Sequence, residues 1–486
     1  MRFANSENPN TGWRLEHSYA RLPRLFHTDT APVTVKRPAI FLFNRSLAAS
    51  LGLNPDILES EQCAPLFTGN ELPTGARPLA QAYAGHQFGH FTTLGDGRAI
   101  LLGEQLTPDG GRYDIQLKGS GPTPFSRGGD GRAALGPMLR EYIISEAMCA
   151  LGIPTTRSLA VATTGESVTR REPLPGAVLT RVAASHIRTG TFQWAAAHGD
   201  VSGLRALTDY TIQRHFPHLA EEPAPALALL KAIAEGQAAL IAKWQHAGFI
   251  HGVMNTDNMA VSGETIDYGP CAFMDNYSKS TVFSSIDAHG RYAYGNQPRI
   301  AQWNLARLAE AMLPILHPSE DRALEIANGV IQEFSGWFDR CWLAGMRRKT
   351  GLFTEVAGDR ALIESLLEQM EQSRADFTNT FAELSGALPS DPALHDWHRR
   401  WLLRLAEQPQ SLDESLRLMR ATNPRCIPRN HRVEEALEAA VQHGDARPAQ
   451  RLIDALSRPF DYDAENEAYR APVPAGSCHY QTFCGT

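Results

Sequence analysis

Four hundred and eighty-six residues correspond to roughly three domains of about 150 residues, or to one larger catalytic unit with extensions. Hydrophobic residues at 43% and charged residues at 20% exclude a disordered, collagen-like or coiled-coil chain, and a net charge of −7 argues against a protein-wide nucleic-acid footprint. Seven scattered cysteines lack the spacing of a disulfide scaffold or a zinc ribbon. The opening MRFANSENPNTGWRL has no apolar core of a signal peptide, and the apolar stretch from Ala224 to Phe249 is broken by Lys231, Glu235 and Lys243. Neither a signal peptide nor a membrane span is predicted, and a cytoplasmic, enzyme-sized protein is expected.

The first 93 residues have mixed character and read as an N-terminal extension packing on the lobes. From about 94 to 192, short alternating runs separated by glycine-rich turns predict strands at Arg98–Glu104, Tyr113–Lys118, Ser158–Thr164 and Ala177–Val182, with one helix from Pro137 to Leu151. Residues 193–458 read as a helical lobe: from about Val201 the period becomes helical, with long helices expected near 203–217, 224–248, 298–316, 319–346, 359–383 and 393–407. His251 to Met274 interrupts these helices with a polar loop, and residues 459–486 form a tail. The expected fold class is α+β: a small twisted sheet with one key helix, then a larger helical lobe.

Two constellations carry chemistry. The predicted strand ending in Lys118 is followed by a glycine-rich loop and a helix with Glu141 and Glu146; a strand lysine held by a helix carboxylate can present its ammonium to nucleotide phosphates, as in protein kinases. Periodicity does not choose between the glutamates. The second is His251-Gly-Val-Met-Asn-Thr-Asp257-Asn258, followed by Asp267-Tyr-Gly. In the kinase pattern H-R-D-x-x-x-x-N, the asparagine stands seven residues after the histidine and a later D-F-G aspartate completes the metal site. Asn258 and Asp267 fit, whereas Val253 occupies the catalytic aspartate position and cannot accept a proton. A carboxylate stands instead at Asp257. Gly95, Gly97 and Arg98, together with Arg181 and Arg188, add close backbone approach and phosphate-matching guanidinium forks. The kinase G-x-G-x-x-G loop is absent. His86 and His90 lack the glutamate of a zinc helix motif, and Leu394, Trp397 and Trp401 fall on one helical face as core residues.

The stretches YAGHQFG (Tyr83 to Gly89), LGDGRA (Leu94 to Ala99), LKGSGPTPFSRGGDGRA (Leu117 to Ala133) and HGVMNTDNM (His251 to Met259) resemble the selenoprotein O family, the YdiU-type proteins, and the likeness spans nearly the whole chain. The resemblance implies a protein-kinase-like bilobal fold and protein adenylyltransferase activity. AMP would pass from ATP to Ser, Thr or Tyr hydroxyls of target proteins, with the nucleotide bound in the reverse of the kinase orientation. It implies ATP contacts at Gly95, Gly97, Arg98, Lys118, Asp130, Gly131, Arg181, Arg188 and Asp267, and Glu141 as the partner of Lys118. Asn258 and Asp267 would hold Mg²⁺, or Mn²⁺, and Asp257 would be the base. Cys484 falls where some relatives carry selenocysteine, which suggests a redox latch to Cys271 with Cys478 as a competing partner. A monomer with no nucleic-acid or membrane partner is expected. Spacing alone leaves a conventional phosphotransferase using Asp257, a noncatalytic nucleotide scaffold and UMP transfer from UTP open.

Overall fold

A computed structural model describes residues 11–386, 392–462, 467–473 and 480–482. The first part of the chain builds a nine-stranded antiparallel sheet from β1 (Leu15–Glu16), β2 (His27–Asp29), β3 (Ala39–Phe43), β4 (Leu79–Gln81), β7 (Ala99–Leu106), β8 (Arg112–Lys118), β9 (Ala133–Ala134), β10 (Arg157–Thr169) and β11 (Pro173–Ala183). The hairpin β5 (Ala84–Gln87) and β6 (His90–Thr93) stands apart. The spatial order is β2-β4-β7-β8-β11-β10-β3, with β1 against β7 and β9 against β11. Helices α1 (Arg45–Ser50), α2 (Pro55–Leu58), α3 (Ala64–Thr68) and α4 (Leu135–Ala150) belong to this part.

Strand alternation decides what the sheet buries where. On β8, Ile115 and Leu117 join Leu47, Leu51 and Phe67 of the α1–α3 region in one apolar cluster. Asp114, Gln116 and Lys118 alternate with them and are buried polar residues. On neighbouring strands, Leu101, Val161 and Leu179 cluster with Met138, Leu139 and Ile143 of α4. Both faces of the sheet are thus covered by helices. The strands expected at 113–118, 158–164 and 177–182 lie within β8, β10 and β11, and that expected at 98–104 overlaps β7, which begins one residue later. The first 93 residues do more than pack against this unit, because β1 to β4 are hydrogen-bonded members of its sheet. None of these four exceeds five residues, too short for a clear two-residue period.

The helical part comprises α5 (Thr189–Ala197), α6 (Val201–His215), α7 (Pro225–Ala247), α8 (Gln297–Leu316), α9 (Glu320–Lys349), α10 (Asp359–Ser373), α11 (Phe377–Glu383), α12 (His395–Ala406), α13 (Leu412–Thr422), α14 (Asn430–His443), α15 (Arg447–Leu456) and α16 (Glu467–Arg470). The single helix expected over 359–383 is two: Arg374 turns left-handed at φ 57°, and the Asp376 carboxylate caps α11 by accepting from Asn379 N–H at 2.8 Å. By length and composition α7 could cross a bilayer, yet Leu229, Leu230, Ile233, Leu240, Ile241 and Trp244 are buried in the protein core, and α8 and α9 pack against the helix. α14 and α15 return to pack on α4. Between α7 and α8, β12 (Phe249–Ile250) pairs with β13 (Ala272–Phe273) and pins both ends of the polar loop.

Candidate active site

The β8 strand ends with Lys118 facing α4, where its Nζ donates to Glu141 Oε2 at 2.6 Å and to Asp267 Oδ1 at 2.9 Å. Arg181 lies opposite Gln116 in the β8–β11 register, so both side chains occupy one face; Arg181 Nη2 donates to Gln116 Oε1 at 2.6 Å and Nη1 to Asp267 Oδ1 at 2.6 Å. Arg188, just ahead of α5, donates from Nη1 to Asp267 Oδ2 at 2.6 Å and to the Asp257 carbonyl at 2.8 Å. Three cations from the sheet side therefore converge on one carboxylate of the helical side. Burial alone would raise the Asp267 carboxyl, but Lys118, Arg181 and Arg188 overcome it and hold it well below the usual carboxylate range. Glu141 is the partner of Lys118; Glu146 faces elsewhere, bound by Arg157 and Asn44.

The loop carrying Asp257 begins after Gly248, a left-handed cap on α7 at φ 70°. His251 is spent on structure: its ring stacks on Trp244 with centroids 5.4 Å apart, and its Nε2 bonds the Ile266 carbonyl at 2.9 Å. Asp257 and Asn258 lie in a short 3₁₀ turn. Asp257 is buried, its Oδ1 has no hydrogen-bond partner among the described residues, and burial pushes its carboxyl up to about 6 against the pull of Arg188. The β5–β6 hairpin covers it so closely that a Cβ on Gly85 would sit 2.3 Å from that oxygen. Asp267 itself has φ 62°, an uncommon backbone state for a residue with a side chain.

These groups line a cavity of about 850 Å³ that also reaches Gly95, Gly97, Arg98, Val253 and α14. Asp130 and Gly131 are not in its wall. Asp130 is partly exposed and pairs with Arg170 at 2.9 Å, while Gly131 (φ 64°) packs so tightly on the backbone of Gly121 that a Cβ would meet it at 2.1 Å. Lining residues that the sequence reading did not single out include Tyr83, Asp96 and Arg127. Asp96 is buried; its Oδ1 makes no hydrogen bond among the described residues but pairs with Arg188 Nη2 at 4.0 Å, and its carboxyl is pushed up to about 6 by burial; the signal for it was its place inside Gly95-Asp-Gly97. Thr482 also lines the cavity, its Oγ1 donating to the Pro270 carbonyl at 2.8 Å. Cys271 is buried and pairs with no other cysteine among the described residues, with burial pushing its thiol up to about 12. Cys478 and Cys484 lie outside the described residues.

The donor set fits a hard divalent cation. Asn258 Nδ2 donates to the Val253 carbonyl at 2.9 Å, which leaves the amide oxygen as the group available to a metal, and Asp267 supplies a carboxylate. One amide oxygen and one carboxylate suit Mg²⁺, which keeps most of its waters. Lys118, Arg181, Arg188 and Arg98 also line the cavity, cations of the kind that pair with phosphate oxygens.

Comparison with known proteins gives the class its name. The family model described as protein adenylyltransferase SelO matches residues 11–457. The chain is 58% identical over 487 residues to the protein nucleotidyltransferase YdiU of Bacillus cereus strain AH820, covering 99% of this chain and 100% of the relative. It is 59% identical over 488 residues to the protein of the same name from Bacillus cytotoxicus, covering 99% of each, and 57% identical to that of Bacillus anthracis, covering 99% of this chain and 100% of the relative. The chain belongs to the SelO family of protein adenylyltransferases and is a nucleotidyltransferase.

Proposed function

We propose that the chain transfers AMP from ATP to Ser, Thr or Tyr hydroxyls of other proteins, on a kinase-like framework with the nucleotide reversed so that its α-phosphate meets the acceptor. The observation that carries this reading is the exchange of bases. Val253, at the position of the kinase aspartate in the motif, lines the cavity, and Asp257, four residues on, is a buried carboxylate beside Arg188 with one oxygen free of hydrogen bonds among the described residues. Asp257 takes the proton of the incoming hydroxyl as its oxygen bonds to the α-phosphorus and pyrophosphate leaves. Lys118, Arg181, Arg188 and Arg98 bind the phosphates, with Glu141 fixing Lys118; Gly95 and Gly97 let the backbone approach the nucleotide. Asp130 and Gly131 would act by shaping the loop between β8 and α4. Mg²⁺ or Mn²⁺ held by Asn258 and Asp267 would neutralise charge between the phosphates.

Incubation with α-labelled and, separately, γ-labelled ATP tests the proposal. Label retained on protein from the α position only is expected; label from the γ position only would make the chain a phosphotransferase, and saturable binding without label would make it a scaffold. α-Labelled UTP with Mn²⁺ reads UMP transfer in the same assay. The Cys271–Cys484 latch stays a proposal, supported by Thr482 standing against Pro270. Peptide mapping of oxidised protein should find that crosslink, and finding Cys478 in its place would reject it.

A further inference from the structure

We infer that the chain carries a second ligand site, formed by α7, α9 and the turn after α4, that binds a small amphipathic anion: an apolar body bearing one carboxylate. The cavity there measures about 490 Å³ and shares no lining residue with the catalytic cavity; sites for small molecules span about 300–1,000 Å³. Leu151, Ile153, Ala242, Ala247, Pro424 and Phe460 give it a largely apolar wall. Its charged lining is of one sign. Lys243, Arg348 and Lys349 contribute to it, with His246, and no carboxylate does so among the described residues.

Lys349 decides the chemistry. It is 2% exposed, and among the described residues its ammonium makes no hydrogen bond or ion pair. Its neighbours are the faces of Phe381 and Phe377, whose centroids lie 4.2 and 5.4 Å from Nζ. Cation–π contact offsets only part of the cost of taking an ammonium out of water. Burial pushes the group down to about 7, the response of a cation that lacks an anion. Two other polar groups of the wall are engaged: Lys243 Nζ donates to the Gly152 carbonyl at 2.8 Å, and His246 Nε2 bonds the Trp342 carbonyl at 2.9 Å. Arg348 is exposed, so positive charge runs from the surface to the interior of the wall. A carboxylate arriving with an apolar tail completes both halves of the site, pairing with Lys349 while the tail fills the apolar wall.

Isothermal titration of the full-length protein with decanoate, and with decanol as its uncharged counterpart, tests the inference. Decanoate is expected to bind saturably at one equivalent, with decanol at least about tenfold weaker. Lys349→Met, which keeps the shape without the charge, and Ala239→Trp, which fills the cavity, should each weaken decanoate at least about tenfold. Melting curves confirm that both variants are folded. Non-saturating uptake, equal affinity for decanol, or unchanged binding in the folded variants would overturn the site; the decanol comparison on the unaltered protein decides the matter even if a variant fails to fold.

Discussion

At Asp267 a single carboxylate takes Lys118, Arg181 and Arg188, and a triphosphate would ask for the same three cations. The aspartate therefore competes with the nucleotide unless a metal shares its charge. Asp267→Asn is expected to abolish the Mg²⁺ dependence of ATP binding while tightening metal-free binding at least about tenfold, near 1.4 kcal/mol; calorimetry in chelator and in Mg²⁺ reads both, and weaker metal-free binding would reject the competition. Arg188 ties Asp257 to Asp267. Arg188→Ala should cost about 2.7–4 kcal/mol of transition-state stabilisation, by analogy with an oxyanion-hole donor, and near wild-type kcat would return it to a structural ion pair. Lys118, Asn258 and Asp267 were legible because their spacing is local to the chain. Glu141 and Glu146 were not separable by helical period, since each lies near a stripe of apolar residues; the choice rests on Arg157 and Asn44, distant in sequence, capturing Glu146. Asp96 and Arg127 were not singled out in the sequence, and only the fold brings them into the cavity wall.

Elements position these residues with little slack. The β5–β6 hairpin sits against the 3₁₀ turn, with His86 N–H donating to Thr256 Oγ1 at 2.7 Å and Gly85 over Asp257. Gly85→Ala must push hairpin and base apart, and a displacement of about 1 Å can cost about 10²-fold in rate. The expected result is that loss in kcat with an almost unchanged melting temperature; unaltered turnover would show that the hairpin does not set the base. On α9, Lys349 has its folded pKa lowered to about 7, below its unfolded value near 10.4, so the unfolded chain binds more protons between those values. Its contribution to stability rises with pH through that window by up to about 1.4 kcal/mol per pH unit. Nearby His246, pushed down to about 4 by burial, stays neutral throughout. Lys349→Met is expected to melt higher at pH 7 and to lack that component of the pH dependence, as scanning calorimetry from pH 7 to 9 would show; a lower melting temperature at pH 7 contradicts it. The Trp397–Trp401 stack of α12, buried at 5.9 Å, was legible as one helical face. The strands before residue 93 were not, because pairing partners far along the chain, rather than period, make them strands.

The whole molecule joins a sheet part and a helical part through the ion pairs of Asp267, and α14 and Thr482 close a third side of the same cavity. The passage from sheet to helices was readable near Val201 as a change of period from about 2 to 3.6, although α5 already begins at Thr189, ahead of the expected boundary. The return of α14 and α15 onto α4 was not, since such contacts leave no local signature. On the function proposed above, Asp257 acts as the base in AMP transfer, and intact-mass spectrometry of an acceptor protein incubated with ATP, Mg²⁺ and either wild type or Asp257→Asn tests that most directly. Wild type is expected to add AMP, and Asp257→Asn to add it slower by about 10²–10⁴-fold while still binding ATP in parallel calorimetry. A phosphate-sized addition by wild type, or equal modification by Asp257→Asn, would contradict that role.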